Sequence, residues 1–219
     1  MKKLLKYFIC ASIVLLPPLS SLRSQITHHS QGRLDENATA ALDKAARKMK
    51  NVTFTVKLTM LDSQKKKKGE YTAQVKFQNP KYHLVAGDQE IVSDGTTVWQ
   101  WNKSAKEIVV NNMPPENEID LFNPSRLMTD YQKNFRAKYI RTDDNGDAVI
   151  DMQPKSAQSY HKIRLFINEE TGVLNRIEVH KYDSSRDIYE LRKQKFGRLH
   201  PPIKFNPADH PEAEVIDMR

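Results

Sequence analysis

The sequence predicts a mainly β domain with a few helices, an antiparallel barrel or sandwich of about eleven strands. Three observations predict it. Val52, Phe54, Val56, Leu58 and Met60 alternate with Thr53, Thr55, Lys57 and Thr59, the period of a half-buried strand. After a charged turn at 62–69, Tyr71, Ala73, Val75 and Phe77 resume the alternation. The pair reads as a long hairpin whose register is strongly specified, because a one-residue slip would expose its whole apolar set. The same rhythm then recurs between turn signals along most of the chain, at the spacing of an all-β domain.

In chain order, residues 1–24 read as a secretory signal peptide. Lys2, Lys3 and Lys6 precede an apolar run at 7–16, followed by Pro17, Pro18 and small polar residues. That layout is too short and wrongly flanked for a membrane span. Cleavage is expected after Ser24, with an uncleaved anchor as the alternative. Without the signal's Lys2, Lys3, Lys6 and Arg23, the formal net charge of +8 falls to +4. Half of the basicity is thus export signal, and it gives little support to a nucleic-acid partner. Cys10, the only cysteine, lies inside the apolar run. Residues 25–219 are therefore expected to fold as one periplasmic domain without disulfides, thiol nucleophile or lipid-modified cysteine.

A helix is expected over 36–50. Ala38, Ala41, Leu42, Ala45 and Met49 recur at helical spacing, and Asp35 can cap the start. After the hairpin, Asn79-Pro80 marks a strand boundary, because proline cannot donate to a ladder. Tyr82, Leu84 and Ala86 form the next inward set, and Ser93-Asp94-Gly95 signals a turn. Strands are expected at 96–101, carrying Trp99 and Trp101, and at 107–111. Further strands follow at 135–141, 148–153, 160–167, 173–181, 188–195 and 203–205. One stretch breaks the rhythm. After Pro114-Pro115, residues Ile119, Leu121, Phe122, Leu127, Met128 and Tyr131 read as short helices, with Asn123-Pro124 as a start. They could cover an open barrel mouth or pack outside the sheet.

The catalytic motifs are missing. No GxSxG, HExxH, P-loop or dinucleotide glycine pattern occurs. The histidines lack a metal-ligand spacing, and the Asp143-Asp144-Asn145-Gly146-Asp147 run lacks the distal glutamate of a calcium loop. No cofactor, metal or enzymatic activity is expected. Lys65, Lys66, Lys67 and Lys68 form a basic hairpin tip. It reads as a solvated turn or as a contact for anionic lipid or an acidic partner. The large residues on the inward pattern read either as plain core or as the wall of a roomy apolar cavity.

Around Asn79-Pro80 and Ile91-Val92-Ser93-Asp94-Gly95-Thr96-Thr97-Val98-Trp99, the chain resembles the LolA family of periplasmic lipoprotein carriers, which typically shows V-S-D-G-x-x-x-W. The tail, Phe205-Asn206-Pro207 with Val215-Ile216-Asp217, is also similar. The resemblance implies an unclosed antiparallel β-barrel covered by a helical lid, with a cavity for the acyl chains of lipoproteins and no catalysis. It implies cavity walls at Phe54, Val56, Leu58, Tyr71, Val75, Phe77, Tyr82, Leu84, Trp99 and Trp101. Leu121, Phe122, Leu127 and Met128 would lie on the lid. The implied partners of this monomeric carrier are acylated lipoproteins, an inner-membrane lipoprotein-release transporter and an outer-membrane acceptor. Family members carry an arginine before the strand-break proline that is linked to holding the lid shut. Asn79 stands there in this chain, so that latch is not carried over. The same fold also serves anchored lipid- or lipoprotein-sensing modules.

Overall fold

In a computed structural model of the protein, residues 35–113, 127–129, 131–198 and 201–219 are described. The expected signal peptide lies outside them. Helix α1 (Glu36–Lys48) starts at the expected cap, where Asp35 Oδ1 accepts from Ala38 N at 3.0 Å. It ends at Met49, whose N–H returns to Ala45 O, slightly short of the expected end. Ala38, Leu42 and Ala45 are its buried stripe, and their small side chains let the helix lie close to the sheet.

Twelve strands make one sheet: β1 (Asn51–Leu61), β2 (Lys67–Gln78), β3 (Lys81–Ala86), β4 (Gln89–Ser93), β5 (Thr97–Asn102), β6 (Glu107–Asn112), β7 (Phe135–Thr142), β8 (Asp147–Pro154), β9 (Tyr160–Asn168), β10 (Leu174–Lys181), β11 (Arg186–Phe196) and β12 (Glu214–Asp217). Their order is β12-β6-β5-β4-β3-β2-β1-β11-β10-β9-β8-β7. The sheet does not close, and β12 and β7 are its edges. Every pairing is antiparallel except β12 on β6. A short helical turn, α2 (Tyr131–Asn134), leads into β7.

The expected hairpin has the expected register. Phe54 faces Val75, Val56 faces Ala73 and Leu58 faces Tyr71. One expected strand needs correction, and two strands were not expected. Ile203 to Phe205 joins no ladder; this segment crosses strands instead of running along an edge, so it meets no free backbone row. β4 was hidden in the sequence because Ile91, Val92 and Ser93 are all buried, which erases the alternation. β12 was hidden because it is short and mostly exposed, and only the edge of β6 gives it partners.

Directly opposed residues share a face, so the registers sort the sheet into two surfaces. The inner surface carries Val52, Phe54, Val56, Val75, Phe77, Tyr82, Leu84, Ile91 and Val98 from one half. From the other it carries Ile150, Met152, Ile163, Leu165, Ile177 and Leu191. All join one apolar cluster with α1, so the sheet curls around the helix. Ion pairs line much of the outer surface. Asp151 binds Arg164 and Lys162, and Glu178 binds Arg186, His180 and Arg176.

Candidate functional site

The concave face is the place where this fold could hold an apolar ligand. Alternation in β1, β2 and β3 delivers Phe54, Val56, Leu58, Val75, Phe77, Tyr82 and Leu84 to it, all buried. Phe77 and Leu84 are sealed beneath neighbours, whereas Tyr71 is half-buried. Near Tyr71 the face continues through Met60 and Tyr189, also half-buried. Gly69 belongs there by close approach, since a Cβ on it would lie 2.8 Å from Met60 Cε. One end of the concave face is thus packed under α1, while the other presents large, adaptable apolar side chains that are half-buried.

Of the expected lid residues, Leu127 and Met128 are buried in the same cluster. Leu121 and Phe122 lie outside the described residues. Behind Met128, Tyr131 Oη lies 2.8 Å from Thr39 Oγ1 and so ties α2 to α1. Asp35 adds a second tie. Its Oδ2 accepts from the Tyr139 amide at 2.9 Å while Oδ1 caps the helix. Lys44 donates to the Glu169 and Glu170 carbonyls in the β9–β10 turn at 2.7 and 2.5 Å. The helix is therefore fixed to the β7–β10 half of the sheet.

The phenols near this face are kept neutral. Burial pushes the Tyr160 hydroxyl above its ordinary value, aided slightly by Tyr182. Burial and the Asp187 carboxylate do the same at Tyr189. Among the described residues, no group of three or more His, Cys, Asp or Glu is arranged to hold a metal ion. No described helix is long and apolar enough to cross a membrane.

Trp99 and Trp101 are not on the concave face, which corrects their expected place in the cavity wall. Trp99 opposes Val92 and Val110, and Trp101 opposes Glu90 and Ile108. These are partners on the convex side, while Val98 joins the inner cluster. Both faces of β5 carry apolar residues, so period two alone could not orient it. The tail covers the tryptophans. Lys76 Nζ donates to the Pro201 carbonyl, and Ile203 N donates to Gln78 Oε1 at 3.2 Å. Ile203 is buried. Phe205 packs on Trp99 and Trp101 with centroids 5.8 and 6.5 Å away, and His210 lies 3.7 Å from Trp101. Asn206 caps the 3-10 turn Pro207–Asp209, and β12 then pairs along β6. A shallow cavity of about 390 Å³ remains between Trp99, Ile203, Phe205, Lys81 and Lys204.

This geometry explains the spacing of the Val-Ser-Asp-Gly-x-x-x-Trp pattern. Val92 and Trp99 are cross-strand partners, and the turn between them is built by its own side chains. Ser93 Oγ accepts from Gly95 N at 3.0 Å, and Asp94 Oδ1 accepts from Thr96 N and Thr97 N, each at 2.8 Å. Gly95 has φ +98°, and a Cβ there would lie 2.7 Å from Pro80 Cγ. The Asn79-Pro80 break and the Ser-Asp-Gly turn thus form one packed corner.

Comparison with known proteins agrees with this fold and pattern. The family model described as outer membrane lipoprotein carrier protein LolA matches residues 74–207. An outer-membrane lipoprotein carrier protein of Shewanella woodyi is 30% identical over 105 residues, covering 47% of this chain and 48% of that protein. The chain thus matches about half the length of this relative. Among solved structures, an uncharacterized conserved protein from Thermus thermophilus has a TM-score of 0.55 at 13% identity, over 83% of this chain and 99% of that one. The LolA superfamily protein NE2245 from Nitrosomonas europaea aligns over 74% of this chain and 94% of its own, with a TM-score of 0.41 and 11% identity. With the family model spanning more than half of its length, this chain belongs to the LolA family of outer-membrane lipoprotein carrier proteins.

Proposed function

We propose that the protein is a soluble periplasmic carrier that shields lipoprotein acyl chains on the concave face of its unclosed sheet. It would take them from an inner-membrane release transporter and hand them to an outer-membrane acceptor. The observation that carries this reading is the largely apolar concave face, with Met60, Tyr71 and Tyr189 half-buried beyond the part packed under α1. Each methylene withdrawn from water contributes roughly 0.8 kcal/mol, so even partial cover of an acyl chain gives useful affinity. Adaptable side chains at the Met60, Tyr71 and Tyr189 end keep the grip weak enough for release. Phe54, Val56, Leu58, Tyr71, Val75, Phe77, Tyr82 and Leu84 supply the wall, and Leu127 and Met128 the cover.

The test places a photo-crosslinking residue at Tyr71 and, separately, at Trp101 in the exported protein. Acylated proteins of the envelope should be captured at Tyr71 and not at Trp101. Equal capture at both, or capture of non-acylated proteins alone, would overturn the reading.

A further inference from the structure

The sheet registers bring two hairpin tips together at one end of the molecule. Leu61 is the last paired residue of β1, facing Lys67 on one side and Arg186 on the other. The β1–β2 tip and the β10–β11 tip therefore stand side by side, about 10 Å apart at ordinary strand spacing.

The first tip is a rigid display of lysines. Asp62 Oδ1 accepts from Gln64 N and Lys66 N, each at 2.9 Å, and the Asp62 and Lys66 main chains close the loop. Lys65 sits at φ +63°, a left-handed conformation that the closed loop imposes. Lys67 pairs with Glu70 at 3.0 Å. Lys65, Lys66 and Lys68 are exposed and meet no carboxylate within salt-bridge distance among the described residues. Of the two acids nearest to them in sequence, Asp62 is occupied by backbone amides and Glu70 by Lys57 and Lys67. The second tip adds Tyr182, the most exposed large apolar side chain of the described residues at 69%. Its ring lies 5.7 Å from that of His161. Lys103 and Lys106 lie on the β5–β6 turn at the same end of the sheet.

We propose that this end is a docking surface for an anionic phospholipid bilayer, with Lys65, Lys66 and Lys68 against the headgroups and Tyr182 at the interface. Clustered lysines held in the diffuse layer of a negatively charged leaflet each add to binding. A tyrosine, apolar in its ring and polar at its tip, suits the headgroup level. An acidic protein surface would use the lysines but give no special role to the neighbouring exposed ring. The contact is independent of the acyl-binding face: it positions the molecule at a membrane whatever the concave face holds.

The test is vesicle co-sedimentation of the exported protein with phosphatidylglycerol-containing and pure phosphatidylcholine vesicles, at low and at molar salt. The protein should bind the anionic vesicles at low salt and be released by salt. The triple variant Lys65→Glu, Lys66→Glu and Lys68→Glu should lose about 100-fold in partitioning, from a roughly five-fold contribution per lysine at an anionic surface. Tyr182→Ser should lose a few-fold. A charge-matched control with Arg141→Glu, Lys195→Glu and Arg198→Glu, all exposed and at the opposite end, should bind nearly as the parent does. Equal losses in the tip and control variants would overturn the proposal, as would equal binding to neutral and anionic vesicles. Salt-sensitive capture of an acidic envelope protein with no vesicle binding would also overturn it. Failure of acyl capture at Tyr71 would leave this contact untouched.

Discussion

The rings of Trp99 and Phe205 meet on the convex face with centroids 5.8 Å apart, and they join the two halves of the family pattern. Trp99 ends the Val-Ser-Asp-Gly-x-x-x-Trp stretch, and Phe205 opens the Phe-Asn-Pro tail. The pattern therefore marks a clasp that fastens the tail to the sheet. Phe205→Ala should cost about 1–3 kcal/mol, less than a fully buried phenylalanine, because the ring is only half-buried. Urea unfolding measures the loss. Tryptophan emission of the folded variant should shift to the red as water reaches Trp99 and Trp101.

Because the tryptophans lie outside, acyl binding on the concave face should leave native tryptophan emission nearly unchanged. A Tyr71→Trp variant puts an indole on the concave face and should report binding of a fatty acid as a blue shift. A large response from the native tryptophans with none from the variant would place the ligand under the tail instead.

Gly95→Ala should destabilise by about 1–3 kcal/mol, since it combines a left-handed backbone with a Cβ 2.7 Å from Pro80 Cγ. Gly146→Ala is the comparison. It shares a positive φ, but its Cβ would meet nothing closer than 3.8 Å, so it should lose about 1 kcal/mol from backbone strain alone. Thermal unfolding of the pair separates contact from conformation.

Asp35→Ala should cost about 1–3 kcal/mol. It removes the helix cap and leaves the Tyr139 amide without its acceptor. Hydrogen exchange should quicken at Ala38 and Tyr139 together. Quickening at Ala38 alone would mean that the tie to β7 is replaced by water.

Acid sensitivity should come from the convex face. Burial opposes ionisation of Glu178, but hydrogen bonds from His180 and Arg186 and the charge of Arg176 outweigh it and hold the carboxyl down at about 2. Burial likewise opposes ionisation of Asp151, and Arg164 and Lys162 prevail in the same way. Both groups are depressed in the folded state. Their stabilisation is full above the ordinary carboxylate range and is lost in acid; for Glu178 it falls away as pH drops from about 4.5 toward 2. Glu178→Gln should cost about 1–3 kcal/mol at neutral pH, the worth of hydrogen bonds to a charged group. It should also flatten the loss of stability between about pH 4.5 and 2, read by urea unfolding across that range.

Side-chain periodicity is enough to give the class of this protein as mainly β. Period-two alternation in β1 and β2 set their register and named Phe54, Val56, Leu58, Val75 and Phe77 as one face, because a slip would expose them all. Asp35 announced the helix start, since its side chain satisfies a local amide that needs no distant partner. Tertiary structure decided what local rules leave degenerate. β5 carries apolar residues on both faces, so only the tail, arriving from the far end of the chain, settled that Trp99 and Trp101 face outward. β4 lost its alternation because both of its faces are covered, and β12 exists because the edge of β6 offers backbone partners to a short exposed segment. Side-chain pattern encodes which residues seek burial, and long-range packing chooses which of two apolar surfaces is closed by helix and which by tail.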